Sequence, residues 1–132
     1  MNKNTYVNTN YTKEEIEEYL KTFKQLVQKG KFYIPNTEKK IKNKKFIEKY
    51  KLTSKQQKLM LLELETTDFC YSVEDDDNEN EILYIFAKEY ELNNWGIKEQ
   101  VLVYIKIVIK QENYTVIISF HEPEKKIKKL FK

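Results

Sequence analysis

Few side chains in this 132-residue chain can do acid–base or nucleophilic chemistry. There is one histidine, His121, and one cysteine, Cys70. Beside them stand 10 tyrosines and 24 basic residues, every one of which is lysine. Histidine is the side chain that exchanges protons most readily near neutral pH, so it serves as general acid or base. Lysine can hold charge that builds on a phosphate, and a tyrosine hydroxyl can orient a neighbour. Together these types suit metal-free RNA cleavage: the 2′-hydroxyl loses a proton as it attacks the adjacent phosphate, and the leaving 5′-oxygen gains one. Cys70 lies between Phe69 and Tyr71 on an expected strand, with no local His–Asn companion motif. It reads as a small buried side chain and not as a nucleophile.

The same scarcity excludes several classes. One cysteine rules out a disulfide framework and a cysteine-rich zinc site, and one histidine rules out a His-rich metal site. The two glycines, Gly30 and Gly96, cannot build a P-loop or a dinucleotide-binding turn. No metal or cofactor is expected.

Whether the histidine meets a tyrosine and a lysine depends on strand register. Val101–Lys110 carries Val101, Val103, Ile105, Ile107 and Ile109 on one face, and Tyr114–His121 offers Val116, Ile118 and Phe120. A tight turn on Glu112-Asn113 sets Ile109 opposite Val116, Ile107 opposite Ile118 and Ile105 opposite Phe120. That face is a core face. The other face pairs Lys106 with Ser119 and Tyr104 with His121, so the histidine lands beside Tyr104 and Lys106 on a side the core does not need.

The elements around this hairpin are legible from periodicity. Residues 1–12 read as a flexible N-terminus. Thr12-Lys13-Glu14-Glu15 is a capping box. Ile16, Leu20, Phe23 and Val27 behind it follow helical spacing, and Gly30 is a stop. Phe32-Tyr33-Ile34 is a short extended piece. A second helix is expected over about Glu38 to Tyr50. A third opens at Thr53-Ser54-Lys55-Gln56, with Leu59 and Leu62, and Met60 as a further candidate, facing inward. Residues 68–123 then read as strands, rich in β-branched and aromatic side chains: Asp68–Val73, Glu81–Leu92, Val101–Lys110 and Tyr114–His121. Helices followed by consecutive strands predict one α+β domain, with the helical part (residues 13–67) packed on an antiparallel sheet. Residues 124–132 form a basic tail or short helix. Trp95, in Asn93-Asn94-Trp95-Gly96, falls in a loop; packing over the sheet end is expected, with base stacking the alternative.

Charge is segregated along the chain. Residues 1–67 hold 15 lysines and 8 acids, residues 68–100 hold 2 and 10, and residues 101–132 hold 7 and 3. The net +3 therefore hides two basic segments able to contact phosphates, around one acidic segment. Most of the acid lies in 74–81, a solvated loop in the plain reading. In the sharper reading it is a nucleic-acid mimic, as in a phage or mobile-element inhibitor of the anti-CRISPR type that binds a nucleic-acid enzyme. Met1 to Asn10 is polar, unlike a signal peptide. The longest apolar run, Ile82 to Ala87, is far short of the about 20 residues of a membrane span. A cytoplasmic protein without membrane contact is expected.

Four stretches occur in a telling order: Gly30 to Ile34 after a first helix, Asp68-Phe69-Cys70-Tyr71-Ser72, Val103-Tyr104-Ile105-Lys106-Ile107, and Val116-Ile117-Ile118-Ser119-Phe120-His121-Glu122. Over about residues 13–123 the chain resembles the MqsR family of toxins, mRNA interferases of toxin–antitoxin pairs. The resemblance implies a RelE-like, microbial-RNase-like α+β fold, a single-stranded mRNA substrate and a cognate antitoxin. It matches the family's strand tyrosine to Tyr104. His121 and Tyr71 stand where the best-known member has lysines, and a family glutamine falls near Tyr84. His121 is then general acid or base, and Tyr104 orients it or the 2′-hydroxyl. Lys106 and Lys88 hold the phosphate, and Tyr71 or Tyr84 positions or stacks a base.

Overall fold

The computed structural model describes residues 7–77, 81–111 and 113–131. Helix α1, Lys13–Gln28, starts at the expected reciprocal cap: the Glu15 amide donates to Thr12 Oγ1 at 3.2 Å and the Thr12 amide to Glu15 Oε1 at 2.8 Å. It buries Ile16, Leu20, Phe23, Leu26 and Val27. It ends where Gly30 adopts φ 76°, with the Gly30 amide on Val27 O and the Lys31 amide on Leu26 O. This paired closure satisfies the last carbonyls, and only a residue tolerant of left-handed φ accommodates it.

Strand β1, Phe32–Tyr33, follows, then a 3₁₀ turn, Glu38–Lys40, which runs into α2, Ile41–Lys49. The second helix thus begins later than expected, because its first turn is wound as 3₁₀. Helix α3, Ser54–Leu62, opens on a second capping box, Thr53 with Gln56. Met60 and Leu61 are its buried residues, whereas Leu59, expected inside, is exposed. A second 3₁₀ turn, Thr66–Asp68, leads to β2 (Phe69–Glu74), β3 (Ile82–Asn94), β4 (Ile97–Lys110) and β5 (Tyr114–His121).

The five strands are ordered β1-β5-β4-β3-β2. Neighbours among β2 to β5 are antiparallel, as expected, but β1 runs parallel to β5, so the sheet is mixed. The helices cover one face, where Phe23, Phe69, Phe86, Phe120, Ile105, Ile107 and Ile117 are fully buried. Each such aromatic or aliphatic side chain stabilises the fold by about 1.5–3 kcal/mol through lost water contact. The opposite face holds a smaller cluster, Cys70, Ile85 and Ala87, flanked by Tyr71, Leu102, Tyr104 and Ile127.

The β4–β5 register agrees with the apolar pattern at one end only. Tyr104 pairs with His121, Ile105 with Phe120 and Lys106 with Ser119, as expected. Toward the turn, Ile107 pairs with Ile117, Val108 with Val116 and Lys110 with Tyr114. Ile118 is the extra residue of a β-bulge, which switches the buried set on β5 from Thr115 and Ile117 to Phe120. The expected pairs Ile107–Ile118 and Ile109–Val116 are therefore not formed. Val116 and Ile118 are only partly buried, and Gln111, at φ 51°, makes the left-handed step expected of Asn113.

The described segments nearest both ends are fastened. Asn8 bridges to Ser72 of edge strand β2, and the Tyr11 hydroxyl lies 2.6 Å from Ser72 Oγ. The described part of the N-terminus, residues 7–12, is thus docked instead of loose. Residues 1–6, and residues 78–80 of the acidic run, lie outside the described residues. The C-terminal segment is neither helix nor free tail. Its Leu130 amide donates to Phe69 O at 2.9 Å, Phe131 stacks on Phe69, and Lys129 pairs with Asp68.

Candidate functional site

A cleft of about 530 Å³ opens on the face of the sheet away from the helical layer. Its floor is Tyr71, Tyr104, Lys106, Ile118, Ser119 and His121. One wall is the 3₁₀ turn and the start of α2, Lys39 to Asn43, and the other is the C-terminal segment, Pro123 to Ile127. Lys39, Lys40, Lys42, Lys106, Lys125 and Lys126 line it, against one carboxylate, Glu124, which is itself paired with Lys42. The excess of ammonium groups gives the described lining a positive field, which favours anions.

Asn43 holds the floor and one wall together. It is fully buried, and its Nδ2 donates to Pro35 O at 2.8 Å and to Ile118 O at 3.0 Å. Its Oδ1 accepts from the Phe120 amide at 2.8 Å. These bonds pair the Ile118 carbonyl and the Phe120 amide, on the stretch of β5 beyond the two residues that β1 covers. By fixing the bulge, Asn43 fixes which side Ser119 and His121 present.

His121 lies across the strand pair from Tyr104, with ring centroids 5.8 Å apart and planes tilted by 32°. Its Nδ1 is 2.8 Å from the Glu122 carbonyl oxygen. A carbonyl can only accept, so in the neutral ring Nδ1 carries the proton and Nε2 is the bare nitrogen able to take one. Burial holds the Tyr104 phenol well above its ordinary value, reinforced by Tyr71 beside it. Tyr104 therefore keeps its proton at neutral pH and serves as a hydrogen-bond donor, not as a base. Tyr71 is pushed in the same direction, also chiefly by burial.

Lys106 is shifted downward, first by burial and then by the neighbouring Lys40. A folded-state value below the unfolded one means that the fold disfavours the charged ammonium. That cost is present throughout the neutral range and disappears only as pH rises through the lowered value. Lys106→Met is accordingly expected to leave the urea midpoint equal to or above that of the parent. The same variant is expected to weaken binding of an anionic ligand about tenfold or more, since a charge-assisted hydrogen bond is lost. A lower midpoint together with unchanged binding would mean that Lys106 is a packing residue.

The site residues expected from sequence divide between the two faces. His121, Tyr104, Lys106 and Tyr71 share the cleft. Tyr84 and Lys88 do not belong to it, because strand alternation turns them to the helix side. Tyr84 stacks on Tyr19 with centroids 3.7 Å apart, and Lys88 Nζ reaches Asp68 Oδ2 at 3.3 Å. Asp68 is buried and also accepts from the Glu65 amide and Lys129, so Lys88 is held in a structural ion cluster. Cys70 is buried, and burial pushes its thiol up to about 12, as suits an inert side chain. Trp95 does not pack over the sheet end; it is 81% exposed on the β3–β4 turn. The wall residues Lys39, Lys40, Lys42, Asn43, Lys125 and Lys126 carried no sequence signal beyond their density of charge, because the contacts that bring them to β5 are long-range. Among the described residues, no group of three or more His, Cys, Asp or Glu side chains could hold a metal ion. Among them, too, no helix is long and apolar enough to cross a membrane.

No protein-family model, no curated protein and no solved structure matches the chain.

Proposed function

We propose that this protein is a metal-independent endoribonuclease toxin that cleaves single-stranded mRNA and is neutralised by a cognate antitoxin. The observation that carries the reading is the cleft, in which the sole histidine, a protonated tyrosine and a half-buried lysine converge among lysine-rich walls. The order of motifs shared with MqsR toxins, and an α+β fold compatible with the RelE-like class, support it.

In the reaction, His121 Nε2 takes the 2′-hydroxyl proton while Tyr104 donates a hydrogen bond that orients the attacking group. The 2′-oxygen bonds to phosphorus and the bond to the 5′-oxygen breaks. Lys106 holds the phosphate charge, and its loosened proton passes to the leaving oxygen. The products are a 2′,3′-cyclic phosphate and a 5′-hydroxyl. Histidine and lysine then exchange protons with water to reset.

Induced expression in bacteria is expected to arrest growth, with His121→Ala relieving the arrest. Charge reversal at Asp75, Asp76 and Asp77 is expected to leave the arrest intact. If the reversal abolishes the effect and His121→Ala does not, the protein acts through its acidic loop, as an inhibitor of a nucleic-acid enzyme would.

A further inference from the structure

The β3–β4 hairpin turns on two residues, Trp95 and Gly96, at φ 55° and 86°. Two positive φ values define the tight hairpin turn that Asn, Asp and Gly ordinarily fill. A tryptophan at the first position carries backbone strain and buries almost nothing, being 81% exposed. The turn is nonetheless braced: the Gly96 amide donates to Asn93 Oδ1 at 2.7 Å. Lys51, itself left-handed at φ 50°, sets its ammonium 4.3 Å from the centre of the indole ring. One ring face is thus occupied by a cation, and the other is left to solvent.

Helix α2 connects this ring to the cleft. Its start lines the cleft through Lys42, and the residues just beyond its end, Tyr50 and Lys51, contact Glu99 and Trp95. Lys42, Lys45 and Lys49 are exposed and spaced i, i+3, i+7, so they form one stripe along the helix. The stripe rises about 10 Å along the helix, at 1.5 Å per residue. Lys42, at its start, lines the cleft, and Lys49, at its end, sets its ammonium 5.1 Å from the centre of the Tyr50 ring.

We propose that Trp95 is a base-stacking platform at the far end of a lysine track, holding a single-stranded RNA whose scissile phosphate sits in the cleft. This deepens the ribonuclease reading and rests on it. A polyanion suits the lysine stripe, and a flat π surface suits the open indole face; a single strand presents both its phosphates and its unpaired bases.

Trp95 is the only tryptophan, so fluorescence excited at the red edge, beyond the absorption of the 10 tyrosines, reports on the platform alone. The probe is a fluorescently labelled 2′-O-methyl RNA 12-mer, which cannot be cleaved because its 2′-oxygen has no proton to lose; the matching DNA strand and a dinucleotide serve as comparisons. The 12-mer is expected to quench Trp95 emission and the dinucleotide to leave it unchanged. Trp95→Ala is expected to weaken 12-mer binding about tenfold, measured by anisotropy of the label, with cleavage of an unmodified dinucleotide unchanged. If the 12-mer binds but neither quenches Trp95 nor loses affinity on Trp95→Ala, the platform is overturned and the cleft reading stands. If DNA quenches as strongly as RNA, the platform stands and selects single strands without regard to the sugar. If no RNA is bound at any salt concentration, both readings fall together.

Discussion

Replacing His121 with alanine is expected to lower RNA cleavage by about 10²–10⁴-fold, the range that a positioned general base supplies. The size of the effect follows from scarcity. Tyr104 keeps its proton, Cys70 is buried and shifted up to about 12, and Lys106 serves as the proton donor in the proposed reaction, not as the base. Glu124, the one carboxylate among the described residues that line the cleft, is paired with Lys42. Among the described residues that line the cleft, His121 alone offers a bare nitrogen for the proton. The fold should barely register the change, because His121 is only partly buried and its hydrogen bond is to the neighbouring Glu122 carbonyl. A shift within about 0.5–1 kcal/mol in urea unfolding is expected. Loss of cleavage with the midpoint retained separates a chemical role from a structural one.

Asn43 is the reverse case, a residue whose loss is expected to unfold the site without touching substrate. Asn43→Leu keeps the approximate volume but strands the buried Phe120 amide and the part-buried Ile118 and Pro35 carbonyls. A buried group left without a partner costs about 1–3 kcal/mol, and the two carbonyls, only part-buried, cost less each, so a total of about 3–5 kcal/mol is expected. That is a large part of the roughly 5–15 kcal/mol that holds a domain folded. Asn43→Asp is expected to be no milder despite its similar shape. It keeps the acceptor for Phe120 but replaces a donor shared by two carbonyls with an anion facing them, in a fully buried position. Urea denaturation of both variants measures this. Midpoints within about 0.5 kcal/mol of the parent would show that the bulge does not depend on Asn43. Any folded fraction should also be impaired in cleavage, because a bulge that relaxes shifts β5 by one residue and turns His121 toward the other face.

These two residues mark what the sequence could and could not reveal. Local signals were plain. Thr12 with Glu15 and Thr53 with Gln56 announced their helices, Gly30 announced a stop, and period-two alternation placed Tyr104 opposite His121. Asn43 gave no such signal, because its meaning lies in partners 75 and 77 residues away. The bulge escaped for the same reason. Unbroken alternation in Val116, Ile118 and Phe120 invites a regular ladder, and only tertiary contacts reveal that Ile117 takes the core position. The family resemblance implies that Lys88 holds the phosphate and that Tyr84, near a family glutamine, positions or stacks a base. Strand alternation sends them to the helix side, where Asp68 and Tyr19 account for them. The parallel pairing of β1 with β5 is also non-local; a two-residue strand carries too little pattern to state its partner or direction.

In the proposed function the cleft cleaves RNA with its own side chains. It is tested most directly by incubating an end-labelled single-stranded RNA with purified protein in excess chelator, beside His121→Ala. The expected result is fragmentation by the parent protein, with 2′,3′-cyclic phosphate and 5′-hydroxyl ends, and intact RNA with the variant. Intact RNA in both, or equal fragmentation by both, would contradict the account.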